Sequence, residues 1–396
     1  MRGPLPPVVF VLSLMTSDAT AGLFCSSPAG CTYPYPSQVD SGPVGTRPPS
    51  MDPERFETTC LPAGHAGCAV VLSALERTTA RIFTRKGATS WDESSRIAAL
   101  SVTLQAPTLS ATPLQHGINE SYSLSVPEAS PDMRVSIVAE NEWGALHGIE
   151  TFAQSVTVVQ GSVHGFFNSS QPVFILQLWP PARIVDQPRA SWRGLLVDTS
   201  RHFLSVSTLR RAIDAMAMSK LNVLHWHMVD GDGWPLCIHS TARVCAQGAF
   251  RDAWGSLYAY NISDLKSLVA YAHARGIRVV PEFDLPGHIA TPLCAAEPQL
   301  CVAGCAPDPS NEKWWSYLTM VVAELTDIFP EKFFHGGADE FHPDCWLTDP
   351  ALAAWANRTG FRDATAILDY FHTRWQRILL AAGRRKHPAA VPIAAL

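Results

Sequence analysis

The spacing of hydrophobic positions along the chain changes character twice. Between residues 60 and 157 apolar and polar side chains alternate in short runs, as in Tyr122-Ser123-Leu124-Ser125-Val126 and Val135-Ser136-Ile137-Val138, each bounded by proline or charge. A period of two predicts strands. Leu146, Ile149, Phe152, Ala153 and Val156 then share one face of a helix expected over 143–157. Past a proline-rich stretch the rhythm becomes strand, helix, strand, helix. Apolar runs at 194–197, 223–229, 278–283 and 333–335 alternate with helical stripes made by Val206, Leu209, Ile213 and Met216, by Leu265, Leu268, Val269 and Ala272, and by Trp315, Leu318, Val322 and Leu325. The second of these helices stops at Gly276, a residue that tolerates the left-handed conformation of a helix C-terminus. A last helix, over 364–382, places Ile367, Phe371, Trp375 and Ile378 inward.

These patterns divide the 396 residues into five parts: a signal peptide over 1–21, an irregular segment over 22–58 rich in Pro, Ser, Gly and Asp, a small α+β domain over 59–171, a linker over 172–188, and a βα-repeat domain over 189–396. The signal peptide rests on Met1-Arg2 before the apolar run from Val8 to Met15, followed by the small residues Ala19 and Ala21 at a cleavage site. No other stretch reaches the roughly 18 to 20 apolar residues that span a bilayer. A formal charge of −5 and only 16% charged residues exclude a nucleic-acid binder, and 47% hydrophobic residues exclude a disordered chain. Entry to the secretory pathway, with an extracellular or lysosomal or vacuolar destination, gives meaning to the sequons at Asn119, Asn168, Asn261 and Asn357 and to the ten cysteines. By spacing, Cys25 with Cys31, Cys60 with Cys68, Cys237 with Cys245 and Cys294 with Cys301 look like short disulfide loops.

Parallel βα units build either a doubly wound sheet or a (β/α)8 barrel. Every candidate strand ends in functional side chains: Asp198 to His202 after the first, His225, His227 and Asp230 on the second, Glu282, Asp284 and His288 after the third, His335, Asp339 and Glu340 after the fourth. Convergence from several strand ends favours the barrel, because a doubly wound sheet concentrates its site at one switch point. No glycine-rich phosphate cradle of the GxGxxG or GxxxxGK[ST] kind occurs, which argues against nucleotide chemistry.

Four motifs occur in order: Arg193-Gly-Leu-Leu-Val-Asp-Thr-Ser-Arg-His202, Lys220-Leu-Asn-Val-Leu-His-Trp-His227 with Asp230, Pro281-Glu-Phe-Asp-Leu-Pro-Gly-His288, and His335-Gly-Gly-Ala-Asp-Glu340. Together they resemble the β-N-acetylhexosaminidases of glycoside hydrolase family 20, over about residues 120–382. The helix over 143–157 looks like the one that closes that family's small α/β domain ahead of its barrel. Adjacent acids such as Asp339 and Glu340 cannot flank a glycosidic bond from opposite faces, as the paired carboxylates of ordinary retaining enzymes do. The resemblance implies that the 2-acetamido oxygen of a terminal N-acetylhexosamine is the nucleophile, with Glu340 as acid and base and Asp339 holding the acetamido N–H. Two neighbouring acids repel each other's ionisation, which points to a raised pKa at Glu340. The resemblance further implies that Arg201 anchors sugar hydroxyls, that Asp230 and His288 form a relay behind Glu340 with Asp284 in the same network, that no metal or cofactor is needed, and that Cys305 and Cys345 close a barrel loop. The substrates implied are glycans ending in GlcNAc or GalNAc.

From Arg193 onward 204 residues remain, and only four βα units are legible in them, whereas a (β/α)8 barrel takes roughly 250 residues. The run from Gly383 to Leu396, with two prolines, is not expected to supply a fifth strand. The expectation is therefore a partial barrel from a truncated chain, with raw sheet edges that favour poor solubility or assembly, including homo-oligomers. Three readings stay open: a β-N-acetylhexosaminidase, a non-catalytic homologue that binds carbohydrate or a partner, and a metal-dependent barrel hydrolase using the His225-Trp226-His227 spacing. Asp339-Glu340 as a simple helix cap, and His225 and His227 as buried structural histidines, are the plainer alternatives for those residues.

Overall fold

The computed structural model describes residues 37–41, 49–83, 96–106, 113–163, 167–176 and 181–386. The expected signal peptide and the Cys25–Cys31 pairing lie outside the described residues. The chain divides into two compact units, 1–111 with 120–187, and 112–119 with 188–396.

In the first unit, among the described residues, nine strands form one sheet: β1 (Gln38–Ser41), β2 (Ser50–Met51), β3 (Glu57–Leu61), β4 (Arg96–Leu104), β5 (Tyr122–Val126), β6 (Met133–Ala139), β7 (Val156–Val163), β8 (Phe167–Leu176) and β9 (Ala182–Asp186). Their order is β1-β9-β5-β6-β4-β2-β8-β7, with β3 also on β4. The alternation read from the sequence explains one face: Leu124, Val126, Val135 and Ile137 are buried on β5 and β6, with Ser123, Ser125 and Ser136 turned outward. Two helices, α1 (Cys68–Ile82) and α2 (Glu142–Ser155), accompany the sheet. Asn141 caps α2 by accepting from the amides of Trp143 at 3.0 Å and Gly144 at 3.2 Å. The helix lies close because two glycines face the sheet. A Cβ on Gly148 would stand 2.7 Å from Ile137 Cγ2, and one on Gly144 would overlap the carbonyl oxygen of Ser121.

Two stretches differ from the pattern reading. Residues 172–188, a linker by composition, contain part of β8 and all of β9, and β9 pairs with both β1 and β5. The segment over 22–58 likewise supplies β1, β2 and the start of β3. Proline does not prevent a strand where the ladder does not need its missing N–H, so composition alone misjudges such edges.

The second unit opens its repeat with β10 (Gly194–Asp198), α3 (Val206–Met218) and β11 (Val223–His227). A short parallel pair follows, β12 (Leu236–Cys237) and β13 (Tyr260–Asn261), flanking α4 (Ala242–Gly248). Next come α5 (Ile262–His273), β14 (Arg278–Glu282), α6 (Ala290–Ala296), α7 (Glu312–Ile328), β15 (Phe333–Phe334), α8 (Pro350–Thr359), α9 (Ala364–Ala381) and β16 (Arg385–Lys386). β10, β11 and β14 are parallel and in order, and a bridge from Glu282 to His335 carries the array to the β15 segment. The helical stripes are buried as expected, except that Val206 at the start of α3 is only partly buried and that Leu379 rather than Ile378 completes the inner face of α9.

The run after Gly383 does contribute a strand. Arg385 and Lys386 pair in parallel with Phe333 and Phe334, with the Arg385 amide donating to the Lys332 carbonyl at 2.7 Å. A basic, non-alternating sequence forms this strand because ladder bonds use backbone groups, and Arg384 secures the approach by donating to the carbonyls of Thr326 and Phe329. At the other edge Leu195 and Leu196 of β10 are exposed, at 40% and 54%.

The four disulfides among the described residues are Cys60–Cys68, Cys237–Cys245, Cys294–Cys301 and Cys305–Cys345, each as expected. Asn119, Asn261 and Asn357 are exposed. No helix among the described residues is long and apolar enough to cross a membrane.

Candidate active site

Parallel strands end with their last side chains on a common rim, so residues distant in sequence meet there. β10 ends at Asp198, whose carboxylate accepts from the amides of Ser200 at 2.9 Å and Arg201 at 3.1 Å and so turns the chain sharply. That turn brings the Arg201 guanidinium back over the strand ends. It meets Asp198 at 2.8 Å, Asp230 at 2.8 Å and Asp232 at 3.5 Å.

Beneath Arg201 lies a buried network centred on Glu282 at the end of β14. His225 Nε2 and His227 Nδ1 both reach Glu282 Oε2 at 2.8 Å, and His335 Nδ1 reaches Oε1 at 2.7 Å. Burial alone would raise the Glu282 pKa, but hydrogen bonds from His225, His227 and His335 hold the carboxyl far below the usual range. His227 is also bonded to Asp230 at 2.8 Å. Its burial opposes the charge, yet the bonds to Asp230 and Glu282 prevail and hold the imidazolium to about 10.

Asp230 also anchors His288, which approaches it through Nδ1 at 3.1 Å. That bond, together with Asp284 nearby, lifts the His288 pKa to about 9 against the effect of burial. Burial acts on Asp230 in the raising direction, but His227, His288 and the Gly231 amide bring its pKa well below normal. The other nitrogen of His288, Nε2, is buried with no hydrogen-bond partner among the described residues. Facing it are Glu340 Oε2 at 3.6 Å, Asp339 Oδ1 at 3.9 Å and Asp284 Oδ2 at 3.9 Å. The carboxylates of Asp339 and Glu340 stand in solvent, with side chains 71% and 78% exposed.

The turn carrying these acids adopts an uncommon backbone. Gly337, Ala338 and Glu340 have φ of 53°, 100° and 56°, and for the two non-glycine residues such conformations cost about 1–3 kcal/mol each. Asp284 is buried beneath, accepting the Ala338 amide at 2.8 Å. Burial pushes its pKa up to about 6, opposed by the Ala338 amide and by His288. The Cys305–Cys345 disulfide ties the loop before α7 to the segment just after Glu340.

All six residues selected from the sequence therefore meet: Arg201, Asp230, Asp284, His288, Asp339 and Glu340. Glu282, as the acceptor for three imidazoles, and Asp232, as a further partner of Arg201, received no role from sequence reasoning. The signal for Glu282 lay in its motif, where it opens the run Glu-Phe-Asp that also holds Asp284. His225, Glu282 and His335 could together hold a metal ion, as could His227, Glu282 and Asp284, or Asp284, His288 and Asp339. The 2.7–2.8 Å spacings around Glu282 are those of imidazole N–H groups donating to a carboxylate. Ligands held about 2.0–2.1 Å from a tetrahedral zinc stand farther apart, at about 3.3 Å. The donor set around Glu282 thus fits shared protons better than a shared metal.

Comparison with known proteins agrees with this arrangement. Residues 191–389 match the family model described as glycosyl hydrolase family 20, catalytic domain, and residues 32–155 match one described as beta-acetyl hexosaminidase like. Beta-hexosaminidase 3 of Arabidopsis thaliana is 36% identical over 273 residues, 68% of this chain and 48% of that protein. Beta-hexosaminidase subunit beta of Rattus norvegicus is 31% identical over 92% of this chain and 66% of its own length. A chitobiase structure from Flavobacterium johnsoniae shares the fold with a TM-score of 0.71 and 24% identity, over 89% of this chain and 51% of that one. The chain thus spans about half to two thirds of the length of these relatives. Two family models in tandem, an α+β unit followed by parallel βα units of the (β/α)8 barrel class, and the motif residues gathered at one rim lead to one conclusion: this chain belongs to glycosyl hydrolase family 20.

Proposed function

We propose that the protein is a β-N-acetylhexosaminidase that removes terminal nonreducing GlcNAc or GalNAc residues from glycans with retention of configuration. The observation that carries this reading is the exposed Asp339–Glu340 pair beside the unpartnered Nε2 of His288, itself anchored on Asp230. Two acids one residue apart leave the opposite face of the sugar without a protein nucleophile, so the substrate's own acetamido oxygen fills that place. Glu340 donates its proton to the glycosidic oxygen as the C1–O bond breaks, and the acetamido oxygen bonds to C1 to give an oxazolinium ring. Asp339 accepts a hydrogen bond from the acetamido N–H and stabilises the positive charge that develops there. Glu340 then takes a proton from water, whose oxygen attacks C1 and reopens the ring.

Asp230 and His288 keep a positive imidazolium within reach of Glu340, beside the carboxyl that gives up one proton and takes back another. Arg201 faces the sugar hydroxyls as a planar fork of donors, held in place by Asp198, Asp230 and Asp232. The four disulfides are consistent with a secretory-pathway protein. The direct test is hydrolysis of a chromogenic β-N-acetylglucosaminide by the purified chain and by its E340Q variant. Release of chromophore that disappears in E340Q supports the assignment; no release by the parent chain, or equal release by both, counts against it.

A further inference from the structure

The turn that presents Asp339 and Glu340 does not hold its shape by local preference. Ala338 at φ 100° and Glu340 at φ 56° occupy backbone regions that side-chain-bearing residues avoid, so a tertiary contact must hold them there. Asp284 is in position to do so. Its own backbone is fixed on both sides, because the Phe283 amide donates to the His335 carbonyl at 3.0 Å and the Leu285 amide to the Gly336 carbonyl at 3.2 Å. The side chain between them reaches past residue 336 and accepts the Ala338 amide at 2.8 Å. A Cβ on Gly337 would overlap the Asp284 carboxylate outright, so the carboxylate fills the space that this glycine leaves. On the far side of the turn Gly287 serves a similar end, since a Cβ there would stand 3.2 Å from Phe341 Cβ.

We propose that Asp284 is a positioning residue, a carboxylate latch seated against Gly337 that holds the Ala338 amide and so aims Asp339 and Glu340 toward His288. The second oxygen of Asp284 faces the same imidazole nitrogen as the two acids, at 3.9 Å. One buried side chain therefore sets the turn and lies along its line to the relay. The catalytic consequence rests on the reading of Glu340 as the proton donor; the ordering of the turn rests on geometry alone. The competing role for Asp284 is purely electrostatic, a charge that acts on His288, and the two roles differ in what an amide can replace. An asparagine keeps an oxygen acceptor at the same reach and loses the charge.

The test uses the full chain with D284A, D284N and G337A. Hydrogen exchange at the Ala338 amide, followed by NMR with 15N-alanine labelling, reads the latch without requiring turnover. D284A is expected to speed exchange at Ala338 by about tenfold or more, with D284N returning it toward the parent rate. Turnover of a chromogenic substrate is expected to fall about 100-fold in D284A, the scale of an ångström-level misplacement, with D284N intermediate. G337A leaves the carboxylate present but denies it its seat, and is expected to speed exchange as D284A does. Unchanged exchange in D284A or G337A overturns the latch, and so does D284N exchanging as fast as D284A, which would assign Asp284 to its charge. A parent chain without hydrolysis would defeat the proposed activity, while the exchange comparison would still decide the latch.

Discussion

Both units bury ionisable groups, but they use them differently. In the first unit such groups tie separate parts of the chain together: His147 of α2 meets Glu120 at 3.0 Å, and Tyr122 of β5 donates to Asp186 of β9 at 2.9 Å. Burial, with Asp186 second, pushes the Tyr122 hydroxyl up and keeps it a donor, as a structural bond requires. In the second unit the pairs merge. Arg201, His227 and His288 meet on Asp230, and His227, His225 and His335 meet on Glu282, so that contacts of 2.7–3.1 Å join them into one connected set below two carboxylates in solvent. A buried, paired charge is thus poor evidence of function by itself. Connection into one network at the ends of parallel strands, with exposed acids above it, is what distinguishes the site.

The largest effect should come from the exposed end of that network. E340Q is expected to reduce hydrolysis of a chromogenic β-N-acetylglucosaminide about 1,000-fold, the scale of general acid–base catalysis. The melting temperature should be unchanged, because the side chain is 78% exposed. A comparable loss of stability would put Glu340 in the scaffold instead. E282Q reverses this expectation. It removes the carboxylate that three imidazoles share, and urea unfolding should show a loss of about 3–5 kcal/mol. A near-neutral E282Q would mean that the histidines need no common partner.

In the first unit the equivalent damage is apolar. I137A, at a fully buried β6 position under Gly148, is expected to cost about 2–5 kcal/mol in the same measurement. It should do so with no pH dependence of its own, which sharpens the contrast with the charged network.

Raising the pH should then weaken the second unit. The carboxylates around them lift His227 to about 10 and His288 to about 9 in the folded chain, above the ordinary imidazole value of 6.5. Folded-state values above the unfolded one mean that the stabilisation is fully present below about pH 6.5 and is lost as the pH rises through about 9 to 10. A loss on the order of 2–3 kcal/mol between pH 6.5 and 10 is expected, less than the separate shifts imply because the network shares its protons. H227Q should flatten the profile; an identical profile in H227Q would remove His227 as its source. The smallest effect belongs to the surface. Lys266 and Asp327 pair at 2.7 Å with side chains 49% and 75% exposed, and K266A should change stability by less than about 0.5 kcal/mol.

Much of this was legible in the sequence. Helical stripes such as Leu209, Ile213 and Met216 are buried because a 3.6-residue period places them on one face whatever they pack against. The cysteine spacings predicted three disulfides found here, since seven- or eight-residue separations close easily. Resemblance supplied the fourth, Cys305–Cys345, across 40 residues. Composition misled where strands run through proline-rich or basic segments, at β9 and β16. It also misplaced residues 112–119, which cluster with the second unit, where His116 packs on Trp192 and Phe333 at 5.7 and 5.8 Å. No local pattern pointed to the raised pKa of Asp284, which comes from burial.

The sequence by itself determined the kinds and order of most elements, the short disulfides and the identity of the chemical groups at each strand end. Those follow from period, spacing and residue type, which are local. Only the tertiary structure decided that Glu282 gathers three imidazoles, that Arg201 bridges three aspartates, and that Asp284 sits where Gly337 has no side chain. Each depends on the register between segments whose paired residues lie 29 to 55 positions apart in the chain. A shift of one residue in a parallel pair would turn a different set of side chains to the rim.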